Sequence, residues 1–126
     1  MVASTVIVLG AALAGAAVAL GAFGAHGLEA RLSERALAIW QTGVQYQFVH
    51  ALGILLIAAF WERVHPGWGL AAVIAMTLGV LLFSGSLYAL AFGAPRLLGA
   101  VAPIGGTLFI VSWIMLAIAA NFRPGA

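Results

Sequence analysis

Six side chains carry most of the chemistry open to this chain: His26, Tyr46, Gln47, His50, Ser84 and Tyr88. There is no Cys, which excludes disulfides, thiolate metal ligands and cysteine nucleophiles, and leaves the compartment unread from redox chemistry. Nor is there any Asp, and the three Glu stand apart from these residues in sequence. Gly43, Tyr46, Gln47 and His50 recur at helical spacing and so share one helix face, as do Thr77, Leu81, Ser84 and Tyr88. Pro103 and Gly106 open the last apolar stretch with a missing backbone donor and a missing side chain. Two readings fit such a cluster. It forms either a buried hydrogen-bond network that fixes helix register or a small cavity for a ligand, an ion or a proton.

The elements that hold these residues are set by hydropathy. The chain is 65 % hydrophobic and 6 % charged, whereas a soluble globule carries about a quarter charged residues. All five Arg and three Glu lie outside four uncharged stretches, Val2–Ala25, Ala36–Trp61, Gly67–Ala94 and Leu97–Phe122. Each is long enough to cross a bilayer, which takes about 20 apolar residues. No Lys or Arg precedes the first stretch, so it is expected to be a retained span rather than a secretory signal. Residues 1–126 therefore read as a single all-α domain, an up-down bundle of four transmembrane helices. A pI near 10.0 suggests nucleic acid only superficially, because the Arg are scattered one or two per connection.

Gly10, Ala14, Ala17, Gly21 and Gly24 form one small-residue seam on the first span, suited to close approach by another span or another subunit. Leu28–Arg35 is the charge-rich segment. Its leucines near helical spacing predict a short interfacial helix, followed by a second helix capped by Ser33 with Glu34 in its first turn. His65-Pro66-Gly67 marks a turn. With four spans, both termini share one side, and the Lys/Arg counts on the two sides nearly cancel.

Counting along the spans from the face of the first and third connections puts His50 at about 10–12 Å depth, with Ser84, Pro103 and Gly106 near it. Tyr46, Gln47 and Tyr88 fall nearer that face and His26 at its surface. The half of the bundle near Gly27–Gln41 and Gly93–Arg96 is thus expected to hold the main cavity, with Ser84 and Gly106 opening onto it.

Several functions compete. Haem ligation by His26 and His50 is disfavoured by their separation of about 10 Å along the membrane normal. Zinc lacks a third converging ligand, so neither a metal nor a cofactor is expected. No catalytic constellation is present; Ser84 with His50 is the nearest approach to one. The leading reading is a structural or accessory component of a membrane complex, touching the lipid bilayer and either a membrane-protein partner or further copies of itself. The alternatives are binding of a small amphipathic ligand, a quinone or a lipid headgroup, and transport of a small solute through the polar half.

"GAFGAHGL" at 21–28, "WQTGVQYQFVHALGIL" at 40–55, "LFSGSLYAL" at 82–90 and "RLLGAVAPIGG" at 96–106 resemble the YgdD-like small inner-membrane proteins. That is domain-of-unknown-function family 423, whose eukaryotic relatives are called transmembrane protein 256. The resemblance implies a small integral membrane protein, in a bacterial inner membrane, with a cytoplasmic C-terminus. It supplies no catalytic residues. It does single out His26, Tyr46, Gln47, His50, Ser84, Tyr88 and Pro103 as motif positions.

Overall fold

A computed structural model describes residues 1–122. The tail from Arg123 onward lies outside the described residues. Four helices are long and apolar enough to cross a membrane: Val2–His26, Glu34–Ala59, Pro66–Ala91 and Leu98–Asn121. They are called the first to fourth spans below. Among the described residues no strand forms. Large apolar side chains such as Ile7, Leu56, Leu81, Ile110 and Ile114 stand on the outside of the bundle, where lipid rather than water meets them.

Local signals account for the boundaries. The Ser33 hydroxyl accepts from the Ala36 N–H at 3.1 Å and caps the second span, whose first residue is Glu34. At the other end of the bundle, His65 Nδ1 accepts from the N–H groups of Gly67 and Trp68 at 3.1 and 3.3 Å, with Pro66 in the first turn. The His65 N–H also donates to the Ala119 carbonyl at 2.8 Å, so this turn is fastened to the end of the fourth span.

The interfacial helix expected after the first span takes the form of a single turn. The N–H groups of Arg31 and Leu32 both donate to the Leu28 carbonyl at 2.9 Å, and no regular helix resumes before Glu34. Leu28 explains the difference: it is fully buried and packs with Trp40 and Ala91, which leaves too little free chain to lie along the interface.

The first span packs along the second and the third along the fourth, the two pairs meeting where the second touches the third. The small-residue seam finds its partner inside the chain. Gly10, Ala17 and Gly24 are buried, and a Cβ on Gly10 would come within 2.8 Å of the Leu55 side chain of the second span. Close approach of the two backbones is what the seam provides, since lipid offers no hydrophobic force between helices. At the second-connection end Val6, Ile54, Ile57, Ala72, Val73 and Met76 form an apolar core.

The third span is not a uniform helix. Pro66–Gly79 and Gly85–Ala91 are α-helical, while Val80–Ser84 between them is π-helical. A π segment inserts a residue into the turn and rotates everything beyond it. Phe83 and Ser84 both belong to it and turn to different neighbours: Phe83 lies against Gly105 of the fourth span and Ser84 against Gly43 of the second.

Candidate functional site

The polar face of the second span divides its side chains between two places. Gln47 is buried and bridges three spans: its Nε2 donates to the Leu13 carbonyl at 2.9 Å and its Oε1 accepts from the Tyr88 hydroxyl at 2.7 Å. Ser84, fully buried, donates to the Gly43 carbonyl at 2.7 Å. Trp40 sits beside them, donating from Nε1 to the Leu20 carbonyl at 2.9 Å, with its ring 4.7 Å from that of Tyr88. Each donor finds an acceptor on another helix, so this set fixes how the first, second and third spans sit against each other. Gln47→Leu and Tyr88→Phe should each lower the thermal midpoint in detergent, and the double variant should lose less than the sum, with a coupling of about 1 kcal/mol. Strictly additive losses would show that the pair is not coupled.

The second place is a cavity of about 550 Å³ between the second and fourth spans. It is larger than two other grooves of about 260 and 320 Å³. Tyr46, Val49 and His50 line it from the second span, Phe83 from the third, and Pro103, Gly106, Phe109 and Trp113 from the fourth. It opens sideways: Val49, Ile110 and Trp113, at its rim, are exposed on the outside of the bundle.

His50 anchors one wall. Its Nε2 faces the Trp113 indole Nε1 at 3.0 Å and its Nδ1 faces the Tyr46 carbonyl at 2.7 Å. An indole nitrogen only donates and a carbonyl only accepts, so the imidazole is neutral with its proton on Nδ1. The ring lies on Phe109, centroids 3.6 Å apart and planes within 11°. Tyr46 is nearly parallel to both, at 6.1 Å from Phe109 and 6.3 Å from His50. Phe83 closes against Tyr46 at 4.9 Å. The result is an aromatic wall with polar edges.

The expected residues thus separate. Tyr46, His50, Pro103 and Gly106 line the cavity; Gln47, Ser84 and Tyr88 belong to the inter-span network; His26 is exposed at the end of the first span. Ser84 does not open onto the cavity, because its hydroxyl is turned toward Gly43. The depth count also needs correction. His50 lies past the midpoint of Glu34–Ala59, and the cavity runs from Pro103 near the start of the fourth span to Trp113 beyond its middle. It therefore begins in the expected half and continues through mid-membrane.

Trp113, Phe109 and Phe83 were missed by sequence reasoning. Pro103, Gly106, Ile110 and Trp113 recur at spacings of 3 and 4, a signal that could have placed Trp113 on the cavity face. Nothing comparable marked Phe83, whose direction depends on the π segment. Elsewhere hydroxyls bond within their own helices, Thr77 to the Val73 carbonyl at 2.8 Å and Ser112 to that of Phe109 at 2.6 Å.

Four apolar spans around a polar, aromatic interior define an integral membrane protein of the small all-α type. The chain belongs to the family described as "Protein of unknown function (DUF423)", which matches residues 20–106 and so takes in every candidate residue from His26 to Gly106. It is 47 % identical over 121 residues to the UPF0382 membrane protein YwdK of Bacillus subtilis, covering 90 % of this chain and 94 % of that one. A UPF0382 membrane protein of Staphylococcus haemolyticus is 46 % identical over 114 residues, covering 89 % and 91 % of the two chains. One from Haemophilus influenzae is 46 % identical over 100 residues, covering 79 % and 80 %. No solved structure matches.

Proposed function

We propose that the cavity between the second and fourth spans receives a small amphipathic molecule from the bilayer, and that the protein is a membrane-embedded binding component. The observation that carries this reading is the cavity itself: about 550 Å³, within the roughly 300–1,000 Å³ of ligand pockets, lined by rings and polar atoms at membrane depth and open sideways to lipid. The groove of about 260 Å³ between the first and third spans is lined by Leu9, Leu70, Ile74 and similar side chains and offers a ligand little to recognise. Transport is less well supported. Toward the second connection the interior is closed by Ile54, Ile57, Val73 and Met76, which leave no polar path onward. The Ser84–His50 pair does not support catalysis, since Ser84 is committed to Gly43 and does not reach the cavity.

The whole chain, residues 1–126, is read as one such domain. Helical spans and bacterial relatives support the inner, or plasma, membrane as its location, because outer-membrane spans are strands of barrels. The second reading is a structural or accessory role within a complex, in which a partner's transmembrane helix, or that of another copy, covers the exposed rim at Ile110 and Trp113.

Gly106→Leu separates these readings. A Cβ at Gly106 would meet the Phe83 ring only at 3.7 Å, an ordinary contact, so the larger side chain enters the cavity without forcing the helices apart. Mass spectrometry of protein purified in mild detergent should find a small molecule in near-stoichiometric amount with the wild type and none with Gly106→Leu. A membrane protein lost in its place would favour the accessory role, and identical bound material in both forms would end the ligand reading.

A further inference from the structure

We infer that the molecule held by this cavity is a neutral, planar ring bearing carbonyl oxygens on a long apolar tail, the chemistry of a membrane quinone. The inference rests on the ligand-binding reading above and names its ligand class.

Charge and depth keep a lipid headgroup from the His50 end of the cavity. The cavity lining contains no Arg; Arg96 stands about 10 Å before Pro103, at the outer end of the cavity, and Arg35 and Arg63 lie about 20 Å along the helix from His50 at 1.5 Å per residue. A phosphate brought to that depth would be a buried charge without a partner, which is strongly unfavourable in lipid. A neutral ring incurs no such cost.

The lining offers a ring both faces and edges to pack against. His50, Phe109 and Tyr46 are near parallel, with interplanar angles of 11° and 18°. Phe83 and Trp113 stand across them, tilted 51° to Tyr46 and 58° to His50. Flat rings gain from stacked and edge contacts of this kind, and an alkyl chain does not.

The polar edge offers one free group, the Tyr46 hydroxyl. Among the described residues no side-chain hydrogen bond engages the Tyr46 hydroxyl; Tyr46 lines the cavity and is 42 % exposed, at a depth where lipid rather than water surrounds it. The Trp113 N–H is given to His50 Nε2 and the His50 N–H to the Tyr46 carbonyl, so neither is free for a ligand. Hydrocarbon alone would leave the tyrosine hydroxyl unpaired at mid-membrane; a ring carbonyl accepts from it. The open rim at Val49 and Ile110 then lets the tail continue into the bilayer, so the cavity has to hold only the ring.

Equilibrium binding of decylubiquinone to the purified full-length protein in detergent tests this, with quinone retained after rapid gel filtration as the readout. Saturable binding at one per chain is expected. Neither n-decanol nor phosphatidylglycerol should displace it at matched concentration. Tyr46→Phe should bind about fivefold more weakly, the loss of one hydrogen bond, with an unchanged thermal midpoint. No saturable quinone binding, or equal displacement by decanol or phosphatidylglycerol with Tyr46→Phe binding like wild type, would overturn the quinone assignment. In the displacement case, loss of all binding in Gly106→Leu would leave the cavity standing as a less selective site. Quinone binding undiminished in Gly106→Leu would instead overturn the cavity as the site altogether.

Discussion

Gly105→Ala is expected to cost the protein about 3 kcal/mol of stability, seen as a fall in its thermal midpoint in detergent on the order of 10 °C. A Cβ at Gly105 would stand 2.9 Å from the Phe83 Cα and 2.8 Å from its Cβ, distances at which something must move. What it meets is largely main chain, with no flexible side-chain end to swing away. Relief requires the third and fourth spans to separate, and the contact lies beside the π segment and the cavity wall that Phe83 forms. The loss should therefore also weaken whatever the cavity binds. Gly15→Ala is the control: a Cβ there meets nothing within 4 Å, and a helix-interior Gly to Ala change stabilises by about 0.5–1 kcal/mol. A Gly105→Ala protein melting with the wild type would show that the two spans do not approach as closely as described.

His50→Leu should cost about 2–3 kcal/mol and is the larger of the side-chain effects. It removes the acceptor for the Trp113 N–H, which at that depth has no water to replace it, and it ends the close stacking on Phe109. Trp113→Phe removes the donor and leaves Nε2 without a partner, so it should also destabilise. Combining the two leaves neither partner unpaired. The double variant should therefore be more stable than the sum of the singles by about 1 kcal/mol, the scale of hydrogen-bond couplings measured within membranes. Midpoints from thermal unfolding of the four proteins in one detergent decide it. A His50→Leu variant as stable as wild type would mean that the imidazole does not hold the second and fourth spans together.

The sequence alone determined most of what depends on near neighbours. Uncharged runs of sufficient length identify spans because each must satisfy its backbone internally in lipid, and that requirement is local. The cap at Ser33 and the turn at His65-Pro66-Gly67 need only a few residues to form. The seam from Gly10 to Gly24 was legible for the same reason: residues 3 and 4 apart share a helix face whatever surrounds them. Placing Gly43, Tyr46, Gln47 and His50 on one polar face follows by the same rule; Gly43, Gln47 and His50 are buried, while Tyr46 is exposed at the bundle's side.

The tertiary structure decided which of those polar groups meet. Gln47 and His50 are 3 residues apart on one helix, yet one joins a network with Leu13 and Tyr88 and the other bonds Trp113, 63 residues away in the chain. A rotation or slide of one helix by a fraction of a turn would exchange those partners without altering the hydropathy of any span. The π segment at Val80–Ser84 applies such a rotation within the third span, sending Ser84 to Gly43 and Phe83 to the cavity. Leu28 acts similarly on the connection, where burial against Trp40 overrides a charge pattern suited to an interfacial helix. In each case the deciding energy is a contact between residues distant in sequence. Periodicity reports a helix's faces; only packing fixes which face turns toward which neighbour.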